Sequence, residues 1–455
     1  MLSAAEKGRT CRAYGGDATE RSRGAGRAWN RQAQQVPWLS REEKPNRRSG
    51  EARAAVAYPL NGVPTQSRLT YSSCRFLEVL RMSSELRAVV LSPAVSHPRF
   101  HRRVEAIQRA GVRPVVYAFR RGWYEVNKFP PGADVIDLGP VPDGKYLARL
   151  PRLGKAFAKI RRAEATFETQ PQFVLALGVD LALLARWVFS SSVPLIYEIG
   201  DLRGVNSSGP IRWAVARIER EIVRRARTLI VTSPGFLSEY YEKIDPTCRQ
   251  KAVVIENKLP KSFGGAERPV VAKEIPSDRR IRIGVVGLLR YPRTLLPLLE
   301  AVAQRSTRYE LHVYGDGPLR SAVEEEASQF ENIYYHGPFR NPDDLAAIYS
   351  YIDLNYVVYD NNEPNVRLAL PNKLYESTFF AVPIIVAERT ALADRVRAMA
   401  TGFIISPNER DFVGKFLDGL SRPAIIKRSR NSLAVPMADL IEDNDQSTEW
   451  IRKLL

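Results

Sequence analysis

The stretch Ile283-Gly284-Val285-Val286-Gly287 decides the fold class of this chain of 455 residues. Each of its residues is apolar or glycine, so a strand formed by it would be buried on both faces. A helical pattern over Thr294–Gln304 comes next, and the alternation then repeats, with further strand-like runs at 311–315, 333–337, 354–359 and 383–387. Fully apolar runs that are separated by helices indicate a parallel sheet covered by helices on both sides.

The first half of the chain shows the same alternation, from a strand-like run at 88–91 to one at 252–255. Between the two halves, residues 259–280 contain Pro, Gly, Lys and Glu without apolar periodicity, which is typical of a linker. The fold class is therefore predicted as α/β, with two Rossmann-like, doubly wound domains at 82–260 and 281–455. Parallel sheets bind ligands at the carboxyl ends of their strands, so the active site is expected in a cleft between these domains.

Residues 1–81 have a different composition, with 15 Lys and Arg against 7 Asp and Glu and with many Gly, Ala and Ser residues. Such a segment buries too little apolar surface to offset the entropy lost on ordering, so we expect a disordered basic extension. The amino-acid composition changes at Met82, which resembles a natural translation start. We interpret 1–81 as spurious or dispensable, and a basic targeting arm is the alternative.

Composition limits the possible function classes. The net charge is +18, of which +8 belongs to residues 1–81, and the remaining +10 could favour an anionic membrane face. No run of 18 apolar residues is present, and the three cysteines and four histidines show no disulfide or metal-site spacing. We therefore expect a cytoplasmic protein, with peripheral contact to the inner face of a membrane as an option. No metal, cofactor or nucleic acid is expected.

Two loops in the second half could bind a diphosphate. In Leu370-Pro371-Asn372-Lys373-Leu374-Tyr375-Glu376, Asn372 resembles an N-cap, and the start of the following helix would offer free N–H groups beside Lys373. Glu376 could accept hydrogen bonds from a ribose, or could simply complement the dipole of its own helix. In Gly287–Arg293, a glycine would permit close approach and Arg290 and Arg293 could clamp the phosphates; an ordinary loop is the alternative.

Three more strand ends carry polar residues. Gly315-Asp316-Gly317-Pro318 has two glycines of a dinucleotide fingerprint, but Arg320 stands where the last glycine would be. Tyr197–Arg203 places Glu198 and Asp201 at a strand end, where they could orient a sugar hydroxyl or form a turn. His97 and Arg99, at the first strand–helix junction, could contact an acceptor or belong to a helix cap.

These signals recur in one order along the chain. They are His97-Pro98-Arg99 with Ala110-Gly111, Tyr197–Leu202, Ile255-Glu256-Asn257, Gly287–Arg293, Tyr314–Pro318, Ile333–Gly337, Tyr349–Asp353 and Pro371–Pro383. In this order and spacing, from about Leu86 to Gly402, the chain resembles the retaining, nucleotide-sugar glycosyltransferases of GT-B fold (glycosyl transferases group 1), which build polysaccharides and glycolipids.

The resemblance implies roles for individual residues. Glu376 would hold the ribose of the donor and Arg290 its diphosphate, with Arg293 in place of a family lysine. Gly287 would allow close approach, as would Gly315 in the matching x-G-x-G-P motif. Further donor contacts would come from the start of the helix, at Asn372, Lys373, Leu374 and Tyr375.

Two positions depart from the family pattern. The family pairs its ribose-binding Glu with another eight residues earlier, and that position is Leu368 here; Glu363 or Asn365 could reach the donor instead. The histidine common in the first-domain motif is Gly200, which leaves Asp201 and Glu198 to orient the acceptor.

The resemblance therefore implies a hexosyltransferase. It would move a hexose from a UDP- or GDP-sugar to a hydroxyl of a glycan or lipid-linked acceptor, with retention and without a metal. The alternatives are a catalytically inactive nucleotide-sugar-binding protein and a sugar-nucleotide epimerase of the same fold.

Overall fold

The computed structural model describes residues 86–94, 98–120, 132–141, 150–202, 209–261, 263 and 267–455. All of these residues lie within one compact unit, Thr70–Leu455. The predicted extension 1–81 and the candidate acceptor residue His97 lie outside the described residues.

The first domain is built on a sheet of seven parallel strands in the order β3-β2-β1-β4-β5-β6-β7. The order reverses between β1 and β4, which creates a crevice at their carboxyl ends. The strands are β1 Arg87–Ser92, β2 Arg113–Arg120, β3 Asp134–Pro140, β4 Val174–Leu177, β5 Leu195–Ile199, β6 Thr228–Val231 and β7 Ala252–Val254.

Helices cover both faces of this sheet because its central strands are apolar on both sides. The helices of the first domain are α1 Pro98–Arg109, α2 Leu150–Glu164, α3 Val179–Val188, α4 Gly209–Arg225, α5 Pro234–Phe236, which continues as a π turn over Leu237–Tyr241, and α6 Glu242–Ile244; a 3-10 turn follows at Pro246–Lys251. The buried sides of α2, α3 and α4 pack against one face, through Ile160, Leu184 and Ile222, and α1 packs against the other.

The second domain repeats this plan with six parallel strands in the order β10-β9-β8-β11-β12-β13. Its strands are β8 Ile281–Val286, β9 Tyr309–Tyr314, β10 Ile333–Gly337, β11 Leu354–Val357, β12 Ile384–Ala387 and β13 Gly402–Ile405. Its helices are α7 Pro292–Ala303, α8 Arg320–Gln329, α9 Leu345–Tyr351, α10 Pro364–Leu368, α11 Asn372–Phe379, α12 Ala391–Met399, α13 Phe412–Gly419, α14 Arg422–Ala434, α15 Met437–Leu440 and α16 Asn444–Arg452.

The predicted fold class, two parallel-sheet α/β domains, is confirmed. The C terminus differs from the predicted organisation, because α16 packs against α1 of the first domain rather than within the second. Trp450 and Ile451 are buried there, and the Trp450 ring meets the Phe173 ring edge-on at 6.3 Å. An apolar helix face packs wherever matching apolar surface is available, and periodicity alone does not say where that is. Among the described residues, no helix is long and apolar enough to cross a membrane.

A buried ion-pair network joins this C-terminal segment to the first sheet. The Arg103 guanidinium donates to the Glu198 carboxylate at 2.9 and 3.3 Å and to Glu442 at 3.1 Å. Arg102 donates to the other oxygen of Glu442 at 3.2 Å. Arg103 and Glu198 are almost fully buried, so each charge depends on its partners for the solvation that water no longer supplies.

Replacing Arg103 should therefore be costly. Arg103→Met leaves the carboxylate of Glu198 buried and unpaired, and we expect the free energy of unfolding to fall by about 3–5 kcal/mol. Urea unfolding followed by circular dichroism measures this. Arg113→Met, which breaks the exposed pair between Arg113 and Asp134, is the control and should cost less than about 1 kcal/mol. Equal losses in the two variants would contradict the account of the network.

Candidate functional site

Two glycine loops at the carboxyl ends of β8 and β9 lie backbone against backbone. The Gly287 N–H donates to the Tyr314 carbonyl at 2.8 Å and the Leu289 N–H to the Asp316 carbonyl at 3.0 Å. A Cβ at Gly315 would lie 1.8 Å from the Gly287 carbonyl oxygen, and one at Gly317 would lie 2.5 Å from that of Leu289. Gly315 thus contacts the Gly287 loop directly. The contact of Gly315 with a sugar donor stays a prediction.

Lys373, at the start of α11, is the cation that meets the Gly287 loop. Its Cε would lie 3.4 Å from a Cβ at Gly287, and its Nζ lies 5.5 Å from the centroid of the Phe339 ring. Lys373 is 6% exposed and its ammonium is 2.6 Å from the Glu376 carboxylate. A buried lysine beside a helix start and a glycine loop provides positive charge where a phosphate could approach the backbone.

Glu376 is buried within a set of protein donors. Besides Lys373, it accepts hydrogen bonds from Asn372 Nδ2 at 2.5 Å and from the Tyr349 hydroxyl at 3.0 Å. The Tyr349 hydroxyl in turn accepts from Asn355 Nδ2 at 3.2 Å. The motif containing Tyr349 was visible in the sequence, but its contact with Glu376 was not. Ribose binding by Glu376 stays a prediction; the structure shows that its carboxylate is firmly oriented.

The structure corrects the expected cap of this helix and shows how two of its side chains are placed. Pro371, not Asn372, occupies the cap position, and Asn372 is the first helical residue. The side chains of Leu374 and Tyr375 are fully buried in the core. The Tyr375 hydroxyl donates to Glu256 at 2.8 Å, so both residues can reach a donor only through their backbone groups. The reason is that every residue of α11 from Lys373 to Phe379 is buried, so neither side chain has a position that faces solvent.

Arg290 lies beside a group of aromatic and acidic residues. Its guanidinium is 4.8 Å from the Tyr291 ring centroid, and the Tyr291 ring lies 5.0 Å from that of Tyr359. Burial alone would lower the pKa of Arg290, but Tyr291 and the Asp201 carboxylate of the first domain raise it overall. Burial raises the pKa of Tyr291 to about 12, with Arg290 acting against this shift and Glu363 reinforcing it. The Asp201 carboxylate of the first domain therefore acts on Arg290 of the second across the domain boundary.

Arg293 takes a different partner from the one expected. Its guanidinium forms an ion pair with Asp360 at 3.1 Å, and its side chain is half exposed. Arg293 is the second residue of α7, whereas Arg290 lies in the loop before it. Lys373 lies beside Gly287, and the role of Arg293 in place of a family lysine stays a prediction.

Asn365, in α10, bridges the two domains. Its Oδ1 accepts from the Leu202 N–H at 2.8 Å, and its Nδ2 donates to the Asp201 carboxylate at 3.1 Å. The Ser233 hydroxyl donates to the Leu368 carbonyl at 2.5 Å, and Asn257 Nδ2 donates to that of Leu370 at 3.0 Å. Asn365 was expected at the donor sugar; its amide is instead engaged with the first domain, where it holds the Asp201 carboxylate.

Glu198 does not face the cleft, contrary to the prediction of a catalytic role. Side chains alternate along a strand, so the side chain of Glu198 in β5 lies on the face covered by α1. There it is 1% exposed and bound by Arg103. Asp201, just beyond the strand, is exposed.

Arg99 fills the space that a side chain at position 200 would need. A Cβ at Gly200 would lie 1.9 Å from both terminal nitrogens of the Arg99 guanidinium. The residue that departs from the family histidine is thus a glycine because an arginine from α1 occupies that place. The structure brings Arg99 to the end of β5, beside Asp201.

Within the described part of the chain, no three His, Cys, Asp or Glu side chains are grouped so that they could hold a metal ion. Whether the reaction proceeds without a metal stays a prediction.

Comparisons with known proteins agree with this arrangement. Residues 96–258 match the family model described as Glycosyl transferase 4-like domain, and residues 280–422 match that of Glycosyl transferases group 1. The chain is also 27% identical over 301 residues to the succinoglycan biosynthesis protein ExoL of Rhizobium meliloti (strain 1021), an alignment that covers 64% of this chain and 74% of that protein.

The chain is a glycosyltransferase of the GT-B fold. Solved structures share the fold at low identity. Sucrose-phosphate synthase from Thermosynechococcus elongatus superposes with a TM-score of 0.59 at 15% identity, over 81% of this glycosyltransferase and 98% of that chain. Anabaena HepE in complex with UDP-glucose superposes with a TM-score of 0.55 at 14% identity, over 81% and 99%.

The contact between Gly315 and Gly287 can be tested directly. Gly315→Ala should lower the free energy of unfolding by about 1–3 kcal/mol, because φ at 315 is +142° and the new methyl group would overlap a backbone oxygen. Thermal unfolding measures the loss. Gly419→Ala is the control, since nothing lies within 4 Å of its Cβ position, and should leave stability unchanged or raised. A neutral Gly315→Ala would show that the loops are not in contact.

Proposed function

We propose that this glycosyltransferase moves a hexose from a UDP- or GDP-sugar to a hydroxyl of a glycan or lipid-linked acceptor, with retention of configuration. The observation that carries the proposal is the meeting of Lys373, the start of α11 and the Gly287 loop. The relatives support a nucleotide-sugar donor and a role in polysaccharide synthesis, because HepE was solved with UDP-glucose and ExoL is a succinoglycan biosynthesis protein.

The donor would lie along the second domain. Its diphosphate would approach the Gly287 backbone and the N–H groups at the start of α11, with Lys373 and Arg290 supplying positive charge. Glu376, already oriented by Asn372 and Tyr349, would accept hydrogen bonds from the ribose. Because Asn365 is engaged with the first domain, Glu363 is the better candidate for a contact with the donor sugar.

Transfer breaks the bond between the anomeric carbon and the diphosphate oxygen and forms one from that carbon to the acceptor oxygen. Positive charge develops on the sugar and negative charge on the departing diphosphate, which Arg290 would stabilise. The acceptor proton would pass to the leaving diphosphate oxygen, so no protein base is required. Asp201, fixed by Asn365, would orient the acceptor hydroxyl, with Arg99 beside it.

A donor screen tests this proposal. Thermal shifts are measured with UDP- and GDP-sugars, and the binders are then incubated with and without candidate glycan acceptors, in EDTA and with added Mg²⁺. Transfer to an acceptor supports the proposed activity, and transfer that survives EDTA supports a reaction without a metal. Donor binding without transfer would favour an inactive binding protein, and altered sugar stereochemistry without an acceptor would favour an epimerase.

Alanine variants of Arg290 and Arg293 distinguish the proposed diphosphate site from an ordinary loop. Arg290→Ala should lower kcat by about 10²–10³-fold, because it removes charge stabilisation of the leaving group. Arg293→Ala removes only a half-exposed pair with Asp360 and should stay within about threefold of wild type. Steady-state kinetics with the donor found in the screen measure both. Reversed effects would move the diphosphate site to Arg293.

Gly200→Ala tests the position of Arg99. The new methyl group overlaps only the flexible end of Arg99, so the fold should survive while the guanidinium moves. We expect transfer to fall by about tenfold or more, as in Arg99→Ala, and the double variant to lose no more than either single one. Additive losses would show that the two residues act independently.

A further inference from the structure

Glu256 lies where the chain leaves the first sheet, in the segment Ile255-Glu256-Asn257. The Ile255 N–H still donates to the Val231 carbonyl at 2.9 Å, so Glu256 follows directly after the carboxyl end of β7. Parallel sheets bind ligands at this end of their strands. The proposed reaction nevertheless assigns no role to Glu256.

Both carboxylate oxygens of Glu256 are bound by the second domain. The Tyr375 hydroxyl in α11 donates to Oε2 at 2.8 Å, and the Arg395 guanidinium in α12 donates to Oε1 at 2.6 Å. The Glu256 side chain is only 12% exposed, so these two bonds replace most of the hydration that its carboxylate would have in water. Because hydrogen bonds are directional, donors from two helices fix the carboxylate relative to both.

Tyr375 carries this contact into the donor helix. It lies between Lys373 and Glu376 in the sequence, and its side chain is fully buried. Burial raises the pKa of the Tyr375 hydroxyl and Glu256 reinforces this shift, whereas Arg395 opposes it. The hydroxyl therefore stays protonated and remains a hydrogen-bond donor near neutral pH. Because backbone hydrogen bonds join the residues of a helix, a displacement of Tyr375 would also displace Lys373 and Glu376.

A second bond from the same segment reaches the start of this helix. Asn257 Nδ2 donates to the Leu370 carbonyl at 3.0 Å, just before Pro371 in the cap position. Two neighbouring residues of the first domain thus hold α11 before its first turn and within it. Arg395 extends the contact to α12, which packs against α10, the helix that carries Asn365.

We propose that Glu256 is a positioning residue for the nucleotide-sugar donor. By binding Tyr375 and Arg395, it holds α11 in place against the first domain. This fixes Lys373 and the N–H groups at the start of α11 where the diphosphate approaches them. Glu256 acts through the helix and does not touch the donor. Its role in donor binding rests on the proposed function, whereas its hold on α11 does not.

Substitution of Glu256 in the full chain tests this role through donor binding. Glu256→Ala should raise the donor KM, and the Kd of UDP or GDP, by about fivefold or more, because α11 loses its anchor. The acceptor KM and kcat at saturating donor should change by less than about twofold. Glu256→Gln keeps an oxygen that can accept from Tyr375, so its donor KM should lie between those of Glu256→Ala and wild type. Calorimetry with UDP and GDP, and steady-state kinetics with the donor found in the screen, measure these values.

Arg395 and Arg397 provide a matched pair of variants in α12. Arg395→Met and Arg397→Met each remove one positive charge from the same helix, but Arg397 forms an exposed pair with Asp394 at 2.7 Å. Arg395→Met should raise the donor KM by about threefold or more, whereas Arg397→Met should match wild type. Equal effects would reduce the result to the charge of α12 and overturn the proposal.

A contact that only joins the two domains would give a different result. Glu256→Ala would then lower the melting temperature, while the donor KM and the Kd of UDP or GDP stayed at their wild-type values. That outcome would refute the proposal. If Glu256→Ala does not fold, Glu256→Gln and Arg395→Met take its place, and unchanged donor affinity in both would refute it as well.

Hydrogen exchange separates this proposal from the proposed function. Without any ligand, the backbone amides of α11 should exchange about tenfold faster in Glu256→Ala than in Arg397→Met. Faster exchange, together with no binding of UDP- or GDP-sugars by wild type, would refute the proposed function while the hold of Glu256 on α11 stands. Unchanged exchange, together with sugar transfer by wild type, would refute the role of Glu256 and leave the proposed function standing.

Discussion

The backbone contact between the Gly287 and Gly315 loops is the constraint on which the donor side of the cleft depends. Two adjacent parallel strands end at this point, and their loops can approach so closely because Gly315 and Gly317 carry no side chains that would overlap the Gly287 and Leu289 backbone. The Lys373 side chain reaches this loop from α11, with its Cε 3.4 Å from the position of a Cβ at Gly287. The strand ends, the helix start and the lysine therefore form one unit, built by contacts between residues far apart in the chain.

Buried charge is handled differently in the two domains. In the second, Lys373 and Glu376 lie beside the Gly287 loop, and their pairing holds both side chains in fixed directions. In the first, Arg103 and Glu198 pair deep between the sheet and α1, where no substrate reaches. Both pairings offset the cost of removing charge from water. Only the pair of Lys373 and Glu376 lies beside the proposed donor site.

The domains are joined by polar contacts to main-chain groups, through Asn365, Ser233 and Asn257. Such contacts are directional, and the one from Asn365 holds the Asp201 carboxylate at 3.1 Å. Interfaces of this polar kind between domains are often those that move during function. Asn365 thereby links the strand end that faces the acceptor to the segment that precedes the donor helix.

The sequence by itself determined the two parallel sheets, the strand ends that carry polar residues, and the glycines that line them. Those features follow from local periodicity and from the conformations that glycine allows, both of which can be read within a few residues. Only the tertiary structure decided that Glu198 pairs with Arg103, that Arg293 turns to Asp360, that Leu374 and Tyr375 are core residues, and that Arg99 fills the place of a side chain at Gly200. Each of these depends on a partner tens to hundreds of residues away, or on which face of an element meets the core. A pattern along the chain says that a polar residue lies at a strand end, but the packing of distant elements decides what it contacts.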